Sequence, residues 1–205
     1  MRKYITIMII IIIILSIILG IKIMNKGTKL TNSILTAEQI RNKILEGLEN
    51  TNYIYTCIEG DEKKIKKIKD NIMVTEGDNI KVWIDIETRN MIIIREIDKE
   101  AIVTTVKEDS TYLNKDFIDM KTLLNIYNDN LYYITEEKYD GRKCIIVAAG
   151  KEKYWIDNET GIVLKYQQNN GESTNFKLKL NKVTDKDVQK PSLEGYNVSY
   201  VKEFV

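Results

Sequence analysis

Histidine is absent from all 205 residues, and that removes a whole region of chemistry. A His-based triad, an imidazole general base and a His-liganded zinc site are all excluded. Cysteine is nearly absent too. Cys57 and Cys144 are the only two, and two thiols alone cannot complete a four-ligand zinc site. Two readings of the pair stand open: a disulfide, which an oxidising compartment permits, or two separate buried apolar side chains. An excess of either charge is also missing, with 31 Lys+Arg against 30 Asp+Glu. Outside the first 26 residues, which hold Arg2, Lys3, Lys22 and Lys26 and no acid, the balance is slightly negative. Only Lys63–Lys69 is a basic run without interspersed acids, so the positive field that nucleic acid requires is lacking.

Catalytic signatures are missing in the same way. No glycine-rich phosphate loop, G-x-S-x-G elbow or S-x-x-K motif occurs in the strand-and-helix setting such chemistry needs. Asp185 and Asp187 lack the glycine and the dense oxygen ligands of a calcium loop. The expectation is a chain that is not an enzyme and holds no metal or cofactor.

What the sequence does have is one long hydrophobic run. Residues Ile5 to Met24 are almost entirely apolar, interrupted by Thr6, Ser16, Gly20 and Lys22. About 20 helical residues span roughly 30 Å, the thickness of bilayer hydrocarbon. Arg2 and Lys3 precede the run, which suits a signal peptide or a retained anchor alike. Only Ser16 and Gly20 offer the small residues a signal peptidase prefers, and no Cys follows for lipoprotein processing. The basic residues flanking the run barely decide its orientation. A four-residue tip before a large C-terminal domain favours tip in, domain out. The expected organisation is a cytoplasmic tip at 1–4, a transmembrane anchor at 5–24, a linker at 25–35 and an extracytoplasmic domain at 36–205, on a single-pass protein of the cell membrane.

Thr36 and Gln39 form a capping box, and Ile40, Ile44, Leu45 and Leu48 line one face of the helix that follows, which should stop near Asn50. Alternating strands are expected at Tyr53–Ile58 and through Ile68, Ile72 and Val74. More follow at Ile80–Ile86, Met91–Ile97, Ala101–Val106 and Thr111–Leu113. Phe117, Met120, Leu124 and Tyr127 have helical spacing, which predicts a helix near Asp116–Asn128. Further strands are expected at Tyr132–Glu136, Lys143–Ala149, Lys151–Asp157, Ile162–Gln168 and Thr174–Val183, punctuated by Asp140-Gly141, Asn158–Gly161 and Asn170-Gly171. Ile92–Ile94 and Ile145–Val147 are apolar on both faces and need cover on both sides, by helices on one and by ligand or partner on the other. The fold class is α+β, with one large antiparallel sheet carrying two or more helices.

One segment repeats. Val82-Trp83-Ile84-Asp85-Ile86-Glu87-Thr88 is echoed by Tyr154-Trp155-Ile156-Asp157-Asn158-Glu159-Thr160. Parity puts Trp and Asp on one strand face and Ile on the other. The Asp can accept hydrogen bonds from turn amides, a structural reason for its presence; the functional alternative is a binding surface built on the two Trp/Asp pairs. Trp155-Ile156-Asp157, its turn and Ile162-Val163-Leu164-Lys165-Tyr166 resemble the LolA-like superfamily of outer-membrane lipoprotein carrier and sorting proteins, which includes sensor domains of sigma-factor regulators. Val183–Val188 followed by Pro191, Leu193, Gly195 and Tyr196 is similar to how such domains end. The resemblance implies an open half-barrel with helices on its concave face and an apolar cavity for acyl chains or a lipidated peptide. A retained anchor would forbid shuttling between membranes, and the Ile-, Lys- and Asn-rich composition looks like that of a low-G+C bacterium. An anchored acyl-binding or sensing domain therefore fits better than a carrier. Lys153–Asp157 through Gly161–Leu164 also resembles PepSY-type domains, which bind or inhibit peptidases; there the module would dock an envelope protein and take no small ligand. Candidate ligand-lining residues are Tyr55, Trp83, Ile93, Phe117, Tyr127 and Trp155.

Overall fold

The computed structural model describes residues 35–59, 62–127 and 130–203. The anchor expected at 5–24, and the linker up to residue 34, lie outside the described residues. Among the described residues no helix is long and apolar enough to cross a membrane, and no group of three or more Cys, Asp or Glu could hold a metal ion.

The first element is helix α1, Ala37–Leu48. Its capping box forms as the sequence predicts: Thr36 Oγ1 accepts from Gln39 N at 3.2 Å, and Gln39 Oε1 accepts from Thr36 N at 2.9 Å. A cap of this kind contributes about 1 kcal/mol. Ile40 and Ile44 turn inward and are fully buried, each contributing roughly 1.5–3 kcal/mol.

Twelve strands follow among the described residues: β1 (Asn52–Glu59), β2 (Glu62–Lys69), β3 (Ile72–Gly77), β4 (Ile80–Asp85), β5 (Asn90–Arg95), β6 (Glu100–Thr105), β7 (Leu131–Tyr139), β8 (Arg142–Ala149), β9 (Glu152–Asp157), β10 (Val163–Gln167), β11 (Ser173–Leu180) and β12 (Asn197–Tyr200). They make one sheet in the order β12-β6-β5-β4-β3-β2-β1-β11-β10-β9-β8-β7. Every pairing is antiparallel except β12 with β6. The outer strands β12 and β7 do not pair with each other, so the sheet is open, as a half-barrel requires. Helix α2 (Met120–Tyr127) lies between β6 and β7, and the short α3 (Asp185–Val188) between β11 and β12.

Several elements differ from their sequence expectation. The stretch from Ile68 to Val74 is two strands joined by a tight turn, with Asp70 at φ +52°. The strand expected at Thr111–Leu113 is a 3-10 turn capped by Ser110. Neither α3 nor β12 is signalled by hydrophobic period.

Helices α1 and α2 pack on one face of the sheet. There Ile40, Ile44, Met120, Leu123 and Leu124 meet Tyr53, Tyr55, Ile68, Val82, Ile84, Ile93, Ile145, Tyr154, Ile156 and Phe176 in one core. On the opposite face, the chain's own C-terminal segment covers Val74, Trp83, Ile92 and Ile94 with Val183, Val188 and Leu193. Asn52 clamps that segment through both backbone groups of Val183. The cover over Ile92 and Ile94 is therefore intramolecular. Further along this face, Cys144, Ile146, Trp155 and Leu164 form a third cluster.

The basic run is absorbed into the fold. Lys66 donates to the carbonyls of Asn114 and Asp116, Lys67 pairs with Glu76 at 2.9 Å, and Lys69 pairs with Asp185. Leu35–Val205 forms a compact unit by itself, with these cores complete inside it.

The repeat is structural in both copies. Asp85 accepts from the amides of Glu87 and Thr88, both at 3.1 Å, and Asp157 accepts from Thr160 N at 3.0 Å. The bond from Ile86 N to Asn71 O has its counterpart in Asn158 N to Lys143 O, both at 2.8 Å. Arg89 and Gly161 occupy equivalent positions, at φ +60° and +73°.

Candidate functional site

The helix-bearing face holds a cleft of about 460 Å³ between α2 and strands β9 to β11. Its floor comes from side chains two residues apart on the two strands that flank β10: Glu152 and Tyr154 on β9, Thr174 and Phe176 on β11. Tyr166 of β10 completes it only because of a bulge. Strict alternation from Val163, which faces the helices, would send Tyr166 to the opposite side. The register shifts between Val163 and Lys165, and Leu164 joins the opposite cluster. Lys165 also lies on that side, 4.3 Å from the Trp155 ring centroid. The extra residue restores Tyr166 to the helix side, a common role for a bulge next to a site.

Tyr154 and Tyr166 stack with centroids 5.1 Å apart. Both phenols donate to Glu152, at 2.6 Å each and to different carboxylate oxygens. Burial and then the bond to Glu152 push the Tyr154 phenol far up, and the same causes push Tyr166 up to about 12. Both therefore act as hydrogen-bond donors at neutral pH. Tyr127 closes one end against the β8–β9 turn, where a side chain at Gly150 would meet the Tyr127 ring at 3.1 Å.

The opposite wall is α2 and its approach. Asp116 accepts from the amides of Ile118, Asp119 and Met120 at 3.1, 2.6 and 3.2 Å, fixing the start of the helix. Burial raises the Asp116 carboxyl pKa, against the pull of Lys66 and these amides. Lys66 in turn is pushed down to about 8 by burial, against the attraction of Asp116 and Asp119. Its ammonium sits 4.9 Å from the Phe117 ring centroid. Phe117 stacks on Tyr55 at 5.2 Å, and Phe176 on Tyr55 at 5.1 Å. Ile126 stands 69% exposed at the rim.

Of the six candidate liners, Phe117 and Tyr127 line this cleft. Tyr55 lies behind Phe117 and Phe176, with its phenol donating to Val163 O at 2.5 Å. Ile93 packs in the same core, in the other half of the sheet. Trp83 and Trp155 belong to the opposite face. Trp83 Nε1 donates to Val188 O at 2.8 Å, and Trp155 Nε1 donates to Glu137. The space between α1 and the sheet, around Tyr53 and Tyr55, is filled to within about 10 Å³.

Cys57 and Cys144 do not form a disulfide. They lie in different clusters on opposite faces, on β1 and β8, which are four strand spacings apart, or roughly 19 Å at about 4.8 Å per spacing. That exceeds the reach of an S–S bond. Burial pushes the Cys144 thiol up to about 11, which makes it unreactive.

Sequence reasoning missed Glu152, Tyr154 and Tyr166. Parity with Ile156 could have placed the first two; nothing in the sequence signals the bulge that returns the third.

No family model and no curated protein sequence matches the chain. Among solved structures it is similar to a domain from Vibrio parahaemolyticus provisionally assigned as an outer membrane lipoprotein-sorting protein. The identity is 9% and the TM-score 0.32, over 75% of this chain and 96% of that one. Identity and overlap this low assign no residue a role.

Proposed function

We propose that this is a membrane-tethered, extracytoplasmic binding domain that takes an acyl chain, from a lipid or a lipidated peptide, in the cleft under α2. The observation that carries the reading is the cleft itself. At about 460 Å³ it falls within the usual range of roughly 300–1,000 Å³ for small-ligand sites. Phe117, Leu123, Ile126 and Phe176 supply its apolar surface, and Glu152 with its two tyrosines supplies one polar group of fixed orientation. The arrangement suits binding rather than catalysis. The tether rests on the apolar run Ile5–Met24 behind Arg2 and Lys3, and the extracytoplasmic side on the resemblance that Trp155–Asp157 and Ile162–Tyr166 carry.

The test is native mass spectrometry on Leu35–Val205, first shown to unfold cooperatively in urea, together with titration of a neutral, fluorescent acyl probe. A co-purified lipid mass or saturable probe uptake is expected. Ile126→Glu should weaken uptake about tenfold while leaving the urea midpoint unchanged, because Ile126 is mostly exposed and contributes little to the core. A clean apo mass with no uptake sinks the reading and favours a protein-docking module.

A further inference from the structure

The charges around the cleft carry the reading one step further, to the head group of the ligand. Among the described residues lining it, the acidic side chains are Asp119 and Glu152; neither Lys nor Arg contributes a lining atom. Lys66 touches the Phe117 ring, but its ammonium is taken up by the carbonyls of Asn114 and Asp116, and it offsets Asp119 more than Glu152. The half-buried Glu152 carboxylate sits among three tyrosine rings. Two of them, Tyr154 and Tyr166, are held in a stack by their bonds to it, and Tyr127 closes the third side against Gly150. A cleft lined by two carboxylates and by no basic side chain is attractive to an organic cation and repulsive to an anion.

Resting on the acyl-cleft reading above, we infer that the ligand carries a positively charged amine or quaternary ammonium head, seated against Glu152 and the Tyr127, Tyr154 and Tyr166 rings, and that a free fatty-acid carboxylate or a bare phosphate head is discriminated against. The phenols hold the carboxylate in place, and they need not release it. Each of its two oxygens uses one acceptor position on a phenol and keeps capacity for a second donor from the ligand. The cationic head completes the charge balance that the lining lacks.

The experiment compares three ten-carbon probes that differ only in head group, decylamine, decanol and decanoate, titrated at pH 7 into Leu35–Val205 by calorimetry. Decylamine should bind about tenfold or more tighter than decanol, and decanoate more weakly than decanol. Glu152→Gln keeps one acceptor for a tyrosine phenol and should bring decylamine to within about twofold of decanol when both are measured on the variant. Asp119→Asn retains the residue's tolerance of its left-handed φ of +54° and its contact with Thr122 N; it should reduce the preference by a smaller factor. If decanol binds and decylamine gains nothing over it, or if decanoate binds best, this inference is overturned and the acyl cleft stands. If none of the three binds, the cleft reading itself falls and takes this inference with it.

Discussion

Replacing Gly161 with alanine will destabilise the domain by about 4 kcal/mol or more, a loss in the range reserved for a few identifiable mechanisms. Two of those mechanisms coincide here. Gly161 has φ +73°, a left-handed conformation that costs a residue with a Cβ roughly 1–2 kcal/mol. The added Cβ would also lie 1.9 Å from the carbonyl oxygen of Lys43 and 3.0 Å from Gly47 N. Those are backbone atoms of α1, so no side chain can swing aside. The helix itself must lift, loosening the Lys43 Nζ bond to Asn158 O at 2.7 Å and the Asn50 bond to Thr160 O at 3.2 Å. It would also open space around Ile40 and Ile44. Gly141→Ala isolates the conformational part, because Gly141 has φ +78° and a Cβ added there would meet nothing within 4 Å. Urea unfolding should show Gly141→Ala costing about 1 kcal/mol. If Gly161→Ala costs no more than that, the close approach of α1 to the β9–β10 turn is not what requires glycine.

The contrast between Gly161 and Arg89 also shows what the sequence could and could not reveal. The repeat was visible as letters, and its turn chemistry followed from Asp85 and Asp157. Why the first copy tolerates arginine at the same left-handed position became clear only with the packing: its turn is exposed, whereas α1 presses on the second. The capping box at Thr36 and the alternation of Phe176–Leu180 were legible because local hydrogen bonds and the two-residue period set them without reference to distant parts. Absolute sidedness was not. Parity tied Trp83 to Asp85 and Trp155 to Asp157, yet on strands apolar on both faces it could not say which face meets the helices. Both tryptophans turned away from them. The cleft stayed hidden for a related reason, since Tyr166 reaches it through a register shift that no composition marks. The C-terminal cover, too, is held by scattered contacts such as Asn52 to Val183 and Trp83 to Val188, which have no periodic signature.

Asp157 and Asp85 will respond very differently to the same substitution. Both carboxylates accept from turn amides, but Asp157 is about 1% exposed and is held by Arg142 through two bonds, Nε to Oδ1 and Nη2 to Oδ2, each at 2.9 Å. The Thr160 hydroxyl adds a third at 2.6 Å. Asp85 has the turn amides and lies nearer solvent. Asp157→Ala leaves the partly buried Arg142 without its main partner and should cost about 3–5 kcal/mol, whereas Asp85→Ala should cost about 1 kcal/mol. The difference extends to pH. Burial raises the Asp157 carboxyl pKa, but the bonds from Arg142 and Thr160 outweigh it and hold the group below the ordinary carboxylate range. In the unfolded chain the group titrates near 3.9. Between the two values the unfolded state binds the extra proton, so stability rises with pH. The contribution is complete above the unfolded value and is lost as pH falls through the folded one. Urea midpoints measured from pH 7 down to pH 3 should therefore fall less steeply for Asp157→Asn than for the parent. An acid slope for Asp157→Asn equal to the parent's would mean that Arg142 does not hold Asp157 ionised.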